Sequence, residues 1–395
     1  MTSPRVLTLL LTAALLIVGC NGTAAPHNND NDREPDVPGD VINERIESEE
    51  HDFRLVRVAS GLEHPWSFAW LPDGGILVTE RPGRLLLLDG DERSEIDGLP
   101  EIHAQGQGGL LDVVVHPDYA ANGWIYYSYS SPCSDGNSAT AIDRARLDGT
   151  TLVDRETIYT QAPCVSPGRH YGSRIVFPGD GTLIFSIGDR GQQNRAQDPA
   201  DPAGSTLRIN DDGSIPQDNP SWDEEGAVAA LYSMGNRNIQ GMTIHPQTGD
   251  VWATEHGPQG GDEVNVIEGG LNYGWPVQTY GVQYRSGEQI GDPQVEGMEP
   301  PIIEWTPSIA PSGLTFYDGD AFSGWRGDLF AGALAFQQIR RLVVDGHSIT
   351  HQEVLLRNEV GRIRDVRTGP DGYIYFVTDD SSGSLYRMEP VPTTE

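Results

Sequence analysis

Lysine is absent from this 395-residue chain: all 26 basic residues are arginine, set against 58 acidic ones for a formal charge of −32. Self-repulsion of that size disfavours nucleic acid and anionic membrane as partners, and counterions screen it in saline surroundings. It reads as an adaptation of the surface rather than a clue to function. Cysteine is nearly absent too, at three residues, and no Cys-x-x-Cys-His occurs, which rules out covalently carried haem. Helical periodicity of useful length is missing. The one long apolar run, residues 6–18, is too short to span a bilayer.

That run follows the positive segment 1–5 and ends at Ile17-Val18-Gly19-Cys20, the pattern of an export signal over residues 1–19. A cysteine directly after the cleavage site reads as a bacterial lipobox, which makes a lipid on Cys20 the only expected membrane contact; plain secretion is the alternative. The expected location is the periplasm or cell envelope. Residues 20–52 carry Asp30, Asp32, Glu34, Asp36, Asp40, Glu44, Glu47, Glu49 and Glu50 among Asn and Pro, a composition expected to stay unfolded as an acidic tether. Cys133 and Cys164 remain, and export favours a disulfide between them over two free thiols.

Residues 53–390, with 391–395 as a short tail, hold the folded domain. Short runs of Val, Ile, Leu, Tyr and Trp surround six turns: Leu71-Pro72-Asp73-Gly74, His116-Pro117-Asp118, Pro178-Gly179-Asp180-Gly181, His245 to Asp250, Tyr317-Asp318-Gly319 and Gly369-Pro370-Asp371-Gly372. A strand is expected before and after each. Six hairpins at intervals of roughly 45 to 70 residues predict an all-β, six-bladed β-propeller of four-stranded antiparallel blades. The strand near residues 55–58 is expected to complete the last blade. A double-sheet sandwich is the alternative, but it leaves the repetition unexplained.

Residues 255–275 are too glycine-rich for a helix and rich in oxygen ligands. Asp262, Glu263 and Asn265, with main-chain carbonyls that glycine lets converge, suit Ca²⁺, whereas a polar turn is the plainer reading of the segment alone. A propeller gathers loops distant in sequence around one channel mouth. The loops with chemistry are 103–112, Gly168-Arg169-His170-Tyr171-Gly172, Ile187-Gly188-Asp189-Arg190-Gly191, Gly235 to Met242, and Gly361 to Arg367. Singly, each has a dull reading: His170 as a structural histidine, Arg362 and Arg364 as solvated charges on one strand face.

Together these loops resemble the calcium-dependent soluble quinoproteins of the glucose/sorbosone dehydrogenase family, across essentially all of residues 53–390. The resemblance implies oxidation of aldose sugars at the anomeric carbon, with pyrroloquinoline quinone (PQQ) and Ca²⁺ as cofactors and a separate electron acceptor as partner. It implies that His170 is the general base, a sensible role for an imidazole. By the same resemblance Asp189 orients it, and Arg237 and Asn238 face the quinone oxygen. Gln107, Thr279, Tyr284, Arg362 and Arg364 are implied contacts of the cofactor, the two arginines suiting its carboxylates. The carbonyls of Gly257 and Pro258 are implied ligands of the Ca²⁺ that also binds PQQ, with Glu263 and the carbonyl of Tyr273 at a second, structural site. One departure stands out: where relatives carry a lysine, this chain has Ala335, leaving either Arg340 or Arg341 as a substitute or a weaker hold on PQQ. Two rivals remain open, a calcium-dependent propeller lactonase or esterase and a non-catalytic binding propeller.

Overall fold

A computed structural model describes residues 39–166 and 168–391; the export signal, Cys20 and residues 392–395 lie outside them. Among the described residues the α-helix is confined to Tyr119–Asn122, and almost all other regular structure is strand. The strands form six antiparallel sheets, five of four strands and one of five. Their innermost strands are Pro65–Trp70, Leu110–Val115, Ile175–Val176, Ile239–Ile244, Pro311–Phe316 and Ile363–Thr368, each adjoining the next and the last adjoining the first. The ring is therefore a six-bladed propeller, and the sandwich alternative falls.

All six sequence turns sit at the same place in their blades, between the innermost strand and the second. The opposite end of the channel consequently receives the hairpins between second and third strands and the crossovers between blades. Six apolar clusters occupy the six blade interfaces, for example Trp124, Tyr126 and Ile142 against Ile175, Phe185 and Leu207, or Leu62 and Leu385 against Phe68 and Val78. A strand covered on both faces needs no polar alternation. That is why Ile76–Glu80, Thr182–Ile187 and Val251–Glu255 are buried at every position.

The ring closes as expected through the N-terminal strand. Phe53–Leu62 pairs antiparallel with Gly383–Pro390, from Phe53 opposite Pro390 to Leu62 opposite Gly383. The expectation that residues up to 52 stay unfolded does not hold from residue 40 onward. Asp40–Ile46 adds a fifth strand outside Phe53–Leu62, and beyond it Glu49 accepts from His351 Nε2 at 2.6 Å while His51 packs edge-on to Trp325 at 5.7 Å. Composition argues only about apolar burial. Here main-chain pairing to an open sheet edge holds a strand whose Val41 and Ile42 remain exposed.

Cys133 and Cys164 are bonded, closing a 31-residue separation between the end of the second strand of blade two and the crossover to blade three. Loop-closure entropy assigns such a link about 3 to 4 kcal/mol. Replacing both cysteines by serine is expected to lower the unfolding free energy by about that amount in urea denaturation, with m rising as the unfolded chain loses its cross-link; a midpoint and m equal to wild type would show that the bond constrains nothing in the unfolded chain.

Candidate active site

The end of the channel that collects hairpins and crossovers holds a cavity of about 250 Å³, walled by Arg81, Gln107, Asn238, His256, Arg362 and Arg364 among others. Trp66, Leu111 and Tyr171 pack as a small apolar cluster along it. His170 is not itself on the wall but adjoins it, next to the wall residues Tyr171 and Gly172 on the crossover from blade two to blade three. Its backbone adopts φ +53, a left-handed conformation uncommon for a side chain of this size. Two contacts hold it there. Its N–H donates to Gln107 Oε1 at 2.7 Å, and Gly188, where a Cβ would meet the His170 carbonyl at 2.3 Å, lets the neighbouring hairpin pass directly beneath.

That hairpin carries Asp189. Its Oδ1 lies 2.6 Å from His170 Nδ1 and accepts the Gly191 N–H at 2.6 Å. Its Oδ2 accepts the Trp275 indole N–H at 2.9 Å. Burial alone would raise the Asp189 pKa, but the hydrogen bond and charge of His170 and the charge of Arg237 bring it below its ordinary value. An ionised carboxylate accepts only, so the imidazole proton sits on Nδ1 and Nε2 keeps its lone pair. No described residue hydrogen-bonds to His170 Nε2. Burial, assisted by Arg237 and Arg169, lowers the histidine pKa against the opposing pull of Asp189, which keeps the ring a neutral base near pH 7.

Arg237 and Asn238 lie on the crossover from blade three to blade four. The Arg237 guanidinium donates to the His256 carbonyl at 3.0 Å and lies 5.5 Å from the centre of the Trp275 ring, while its own N–H donates to Glu255 Oε2 at 2.6 Å. Asn238 Oδ1 accepts from Gly172 N at 3.1 Å. On the far wall Arg364 donates to Asp379 at 2.8 Å and to Gln240 at 3.2 Å, with its Nε unpartnered. Arg362 stands 3.7 Å from the same carboxylate. Burial opposes charge on Asp379, yet Arg364, His64 and Arg362 together hold it well below the usual carboxylate range.

Beside this cavity lies a nook of about 10 Å³ walled by Arg237, Glu255, Glu263, Tyr273, Trp275 and Thr279, room for one small occupant. Glu255 and Glu263 face each other across adjacent strands. Burial, and for Glu263 also the charge of Glu255, pushes both carboxyls up. Asn265 Nδ2 donates to Glu255 at 3.3 Å and Glu263 at 3.2 Å, leaving Asn265 Oδ1 buried without a partner, as is Asn236 Oδ1. No three His, Cys, Asp or Glu side chains converge as a cage among the described residues; the donors here are two carboxylates with amide and main-chain oxygens.

Not every residue singled out in the sequence joins these two sites. Asp262 is a loop clamp: its carboxylate accepts from Gly257 N at 2.8 Å, Ser308 Oγ at 2.6 Å and Ala310 N at 2.7 Å, and burial pushes its pKa to about 6. Thr279 walls the nook rather than the cavity. Tyr284 is exposed and donates its hydroxyl to the Pro258 carbonyl at 2.8 Å. Arg341 does not stand in for the missing lysine, because Asp328 and Glu353 take its guanidinium at 2.7 Å each. Arg340 sits on the third strand of its blade opposite Ala331 and Val354, off the cavity wall. Conversely, Arg81, His256, Trp275 and Asp379 received no role from sequence. His256 and Trp275 lay inside the stretch read for oxygen ligands, while Arg81 and Asp379 follow ordinary strands and carry no motif.

The chain matches the family model described as glucose / sorbosone dehydrogenase over residues 62–387. Aldose sugar dehydrogenase YliI of Escherichia coli is 43% identical over 83% of this chain and 91% of its own length. Among solved structures, the soluble aldose sugar dehydrogenase of Escherichia coli in its apo form superposes with TM-score 0.83 at 41% identity, covering 86% of this chain and 99% of that one. The PQQ-bound aldose sugar dehydrogenase of Streptomyces coelicolor superposes with TM-score 0.70 at 27% identity, covering 84% and 96%. With its propeller, its arginine-walled cavity and a match of this extent, the chain belongs to the glucose/sorbosone dehydrogenase family.

Proposed function

We propose that this protein oxidises aldose sugars at the anomeric carbon to lactones, using PQQ and Ca²⁺ and handing electrons to a separate acceptor. The observation that carries the reading is the Trp275–Asp189–His170 relay at the edge of a cavity walled by arginines. When bound, PQQ supplies a quinone that receives hydride, and Ca²⁺ polarises its carbonyl as a Lewis acid. The residues present suit both. A cofactor with three carboxylates fits a cavity whose cations outnumber its one carboxylate, Asp379, and Arg364 Nε is a donor still without a partner. Two buried carboxylates beside orphaned amide oxygens form a hard-oxygen donor set of the kind Ca²⁺ takes. Glu263 with the Tyr273 carbonyl is assigned to a structural ion, and the carbonyls of Gly257 and Pro258 to the ion shared with the cofactor, Tyr284 then yielding its hydrogen bond to Pro258.

In this reading His170 Nε2 takes the proton of the anomeric hydroxyl. Asp189 holds the ring's tautomer and stabilises the imidazolium that forms, while Trp275 and Gly191 keep the carboxylate from turning away. Arg237, fixed by the His256 carbonyl, places positive charge where negative charge develops on an acceptor oxygen. Asn238, next in sequence, walls the cavity, with Gln107 on the blade-two side. Export through the N-terminal signal, with a lipid on Cys20, would place this chemistry in the cell envelope. The lactonase reading needs free side-chain carboxylates around a central ion; in the channel Asp112, Asp365 and Asp379 are instead paired with Arg174, Arg367 and Arg364.

Reconstitution tests the assignment: apoprotein with Ca²⁺ and PQQ is expected to reduce a soluble dye with at least one of a panel of aldoses. Hydrolysis of lactones without PQQ, alongside no dye reduction, would replace it with the lactonase. His170→Ala is expected to lower kcat by about 10²- to 10⁴-fold, about 3 to 5 kcal/mol of barrier, with PQQ affinity retained. Since the neutral imidazole is the active form and its pKa is depressed, the acid limb of kcat/KM should lie below the ordinary imidazole value. Asp189 opposes that depression, so Asp189→Asn should lower the rate and move the limb further to acid; a limb unmoved by this change would remove the pair from the chemistry. Cofactor and ion share ligands in this reading, so each should tighten the other by one factor. Chelation is therefore expected to weaken PQQ binding, and Glu263→Gln, which touches only the structural ion, to reduce the Ca²⁺-dependent rise in thermal midpoint; equal PQQ affinity with and without Ca²⁺ would refute the shared ligands.

A further inference from the structure

We propose that Arg81 is an anion clamp of the cavity, gripping a carboxylate of the cofactor from the first blade and supplying positive charge that Ala335 does not provide on the fifth. The inference rests on the PQQ reading above and extends it to a residue outside every motif.

Arg81 leaves the second strand of blade one, Ile76–Glu80, at the channel's loop-bearing end and walls the same cavity as Arg362 and Arg364. Its backbone is pinned on both sides: its N–H donates to the His64 carbonyl at 3.1 Å, and its carbonyl accepts from Leu110 N at 3.1 Å. Gly109 makes this approach possible. A Cβ there would fall 1.8 Å from the Arg81 carbonyl oxygen and 2.7 Å from its Cγ, so the crossover between blades one and two closes over the arginine stem only with glycine at that position. At the far end of the stem, Nη1 donates to the Gly106 carbonyl at 2.6 Å, which sets the plane of the guanidinium.

A guanidinium has five N–H donors in a rigid fork. That one bond is the only side-chain partner Arg81 has among the described residues. The carboxylate next to it in sequence, Glu80, is fully buried and already engaged by Arg84 at 2.6 Å and Arg93 at 3.0 Å. Elsewhere on this acidic chain the arginines are mostly ion-paired: Arg155 with Asp143, Arg208 with Asp180 and Asp218, Arg341 with Asp328 and Glu353. Within the cavity itself, Arg364 is bound to Asp379 and Gln240, and Arg362 approaches the same Asp379. Arg81 is thus a cation oriented in advance, with its fork free of carboxylate, on the wall of a site that must take a tricarboxylate. Such a fork binds carboxylate bidentately, with charge assistance.

The test is equilibrium binding of PQQ to Ca²⁺-loaded apoprotein, read by quenching of tryptophan fluorescence. Arg81→Gln is expected to raise Kd by about 10- to 100-fold, as loss of a charge-assisted hydrogen bond does, and Arg81→Lys, which keeps the charge, by less. Wild-type affinity in Arg81→Gln would overturn the clamp while leaving the PQQ assignment standing. Equal weakening in the two variants would overturn the supply of positive charge from this position, since Arg81→Lys keeps the charge and loses only the fork. Failure of the wild-type protein to bind PQQ would remove both readings. If Arg81→Gln does not fold, phenylglyoxal labelling of the wild-type protein decides: protection of the Arg81 peptide by PQQ supports the clamp, and equal labelling with and without PQQ overturns it.

Discussion

The carboxylate of Asp112, on blade two, lies at the axis of the ring and draws donors from three other blades. Oδ1 accepts from Ser67 Oγ of blade one at 2.6 Å, from Arg367 Nη2 of blade six at 2.7 Å and from Arg174 Nη1 of blade three at 3.2 Å, while Oδ2 accepts the Ile175 N–H at 2.9 Å. Arg174 extends the knot to the fourth blade through the Gln240 carbonyl, at 2.7 Å, and to Asp365 on the sixth, at 2.9 Å. Apart from Arg367, whose side chain is 21% exposed, these groups are almost fully buried. A buried charge missing one partner is costly, so the knot tolerates one relative arrangement of the innermost strands. The cavity stands directly on this floor: Gln240 and Arg364 belong both to its wall and to the network beneath.

Ring closure is what allows such a floor to form. Each blade buries both faces only because it has a neighbour on either side, and the last interface, between blades six and one, exists because a strand from the beginning of the domain lies on the last blade. The outer strand Asp40–Ile46 then covers the edge that this closing strand would otherwise present to solvent. In this way Asp40–Ile46 protects the sheet on which the ring's closure depends.

The chemistry of the site follows from how charge is distributed over that frame. Carboxylates meet cations on the floor and at Asp379, whereas Glu255 and Glu263 meet each other. Arg237 and His256 separate the two environments, since both line the nook, and His256 also walls the main cavity. Burial and the charges of Arg237 and Arg364 depress the His256 imidazole to about 3, so it remains neutral, donating Nε2–H to the Pro311 carbonyl at 2.7 Å. Two histidines therefore stay uncharged at this end of the channel for one reason, desolvation near arginine, but only His170 has a carboxylate to stabilise its cation.

Local patterning was legible in the residues themselves. Pro/Asp/Gly turns between short apolar runs announce six hairpins, because glycine and proline set the turn and β-branched and aromatic residues suit a strand covered on both faces. Gly188-Asp189, His170 and the arginine pairs could be singled out as chemistry-bearing loop residues, and the two isolated cysteines as a bond. Sequence alone could not say that Arg81 and Asp379 stand with them, or that Asp262 is consumed by Gly257, Ser308 and Ala310 rather than left as a ligand. Nor did composition foresee that an acidic stretch from residue 40 would join a sheet edge. Turns and strands are decided by neighbours along the chain, whereas partnership of a buried charge is decided by which blades meet at the axis. Residues as far apart as Ser67, Asp112, Arg174 and Arg367 become neighbours only when the ring has closed.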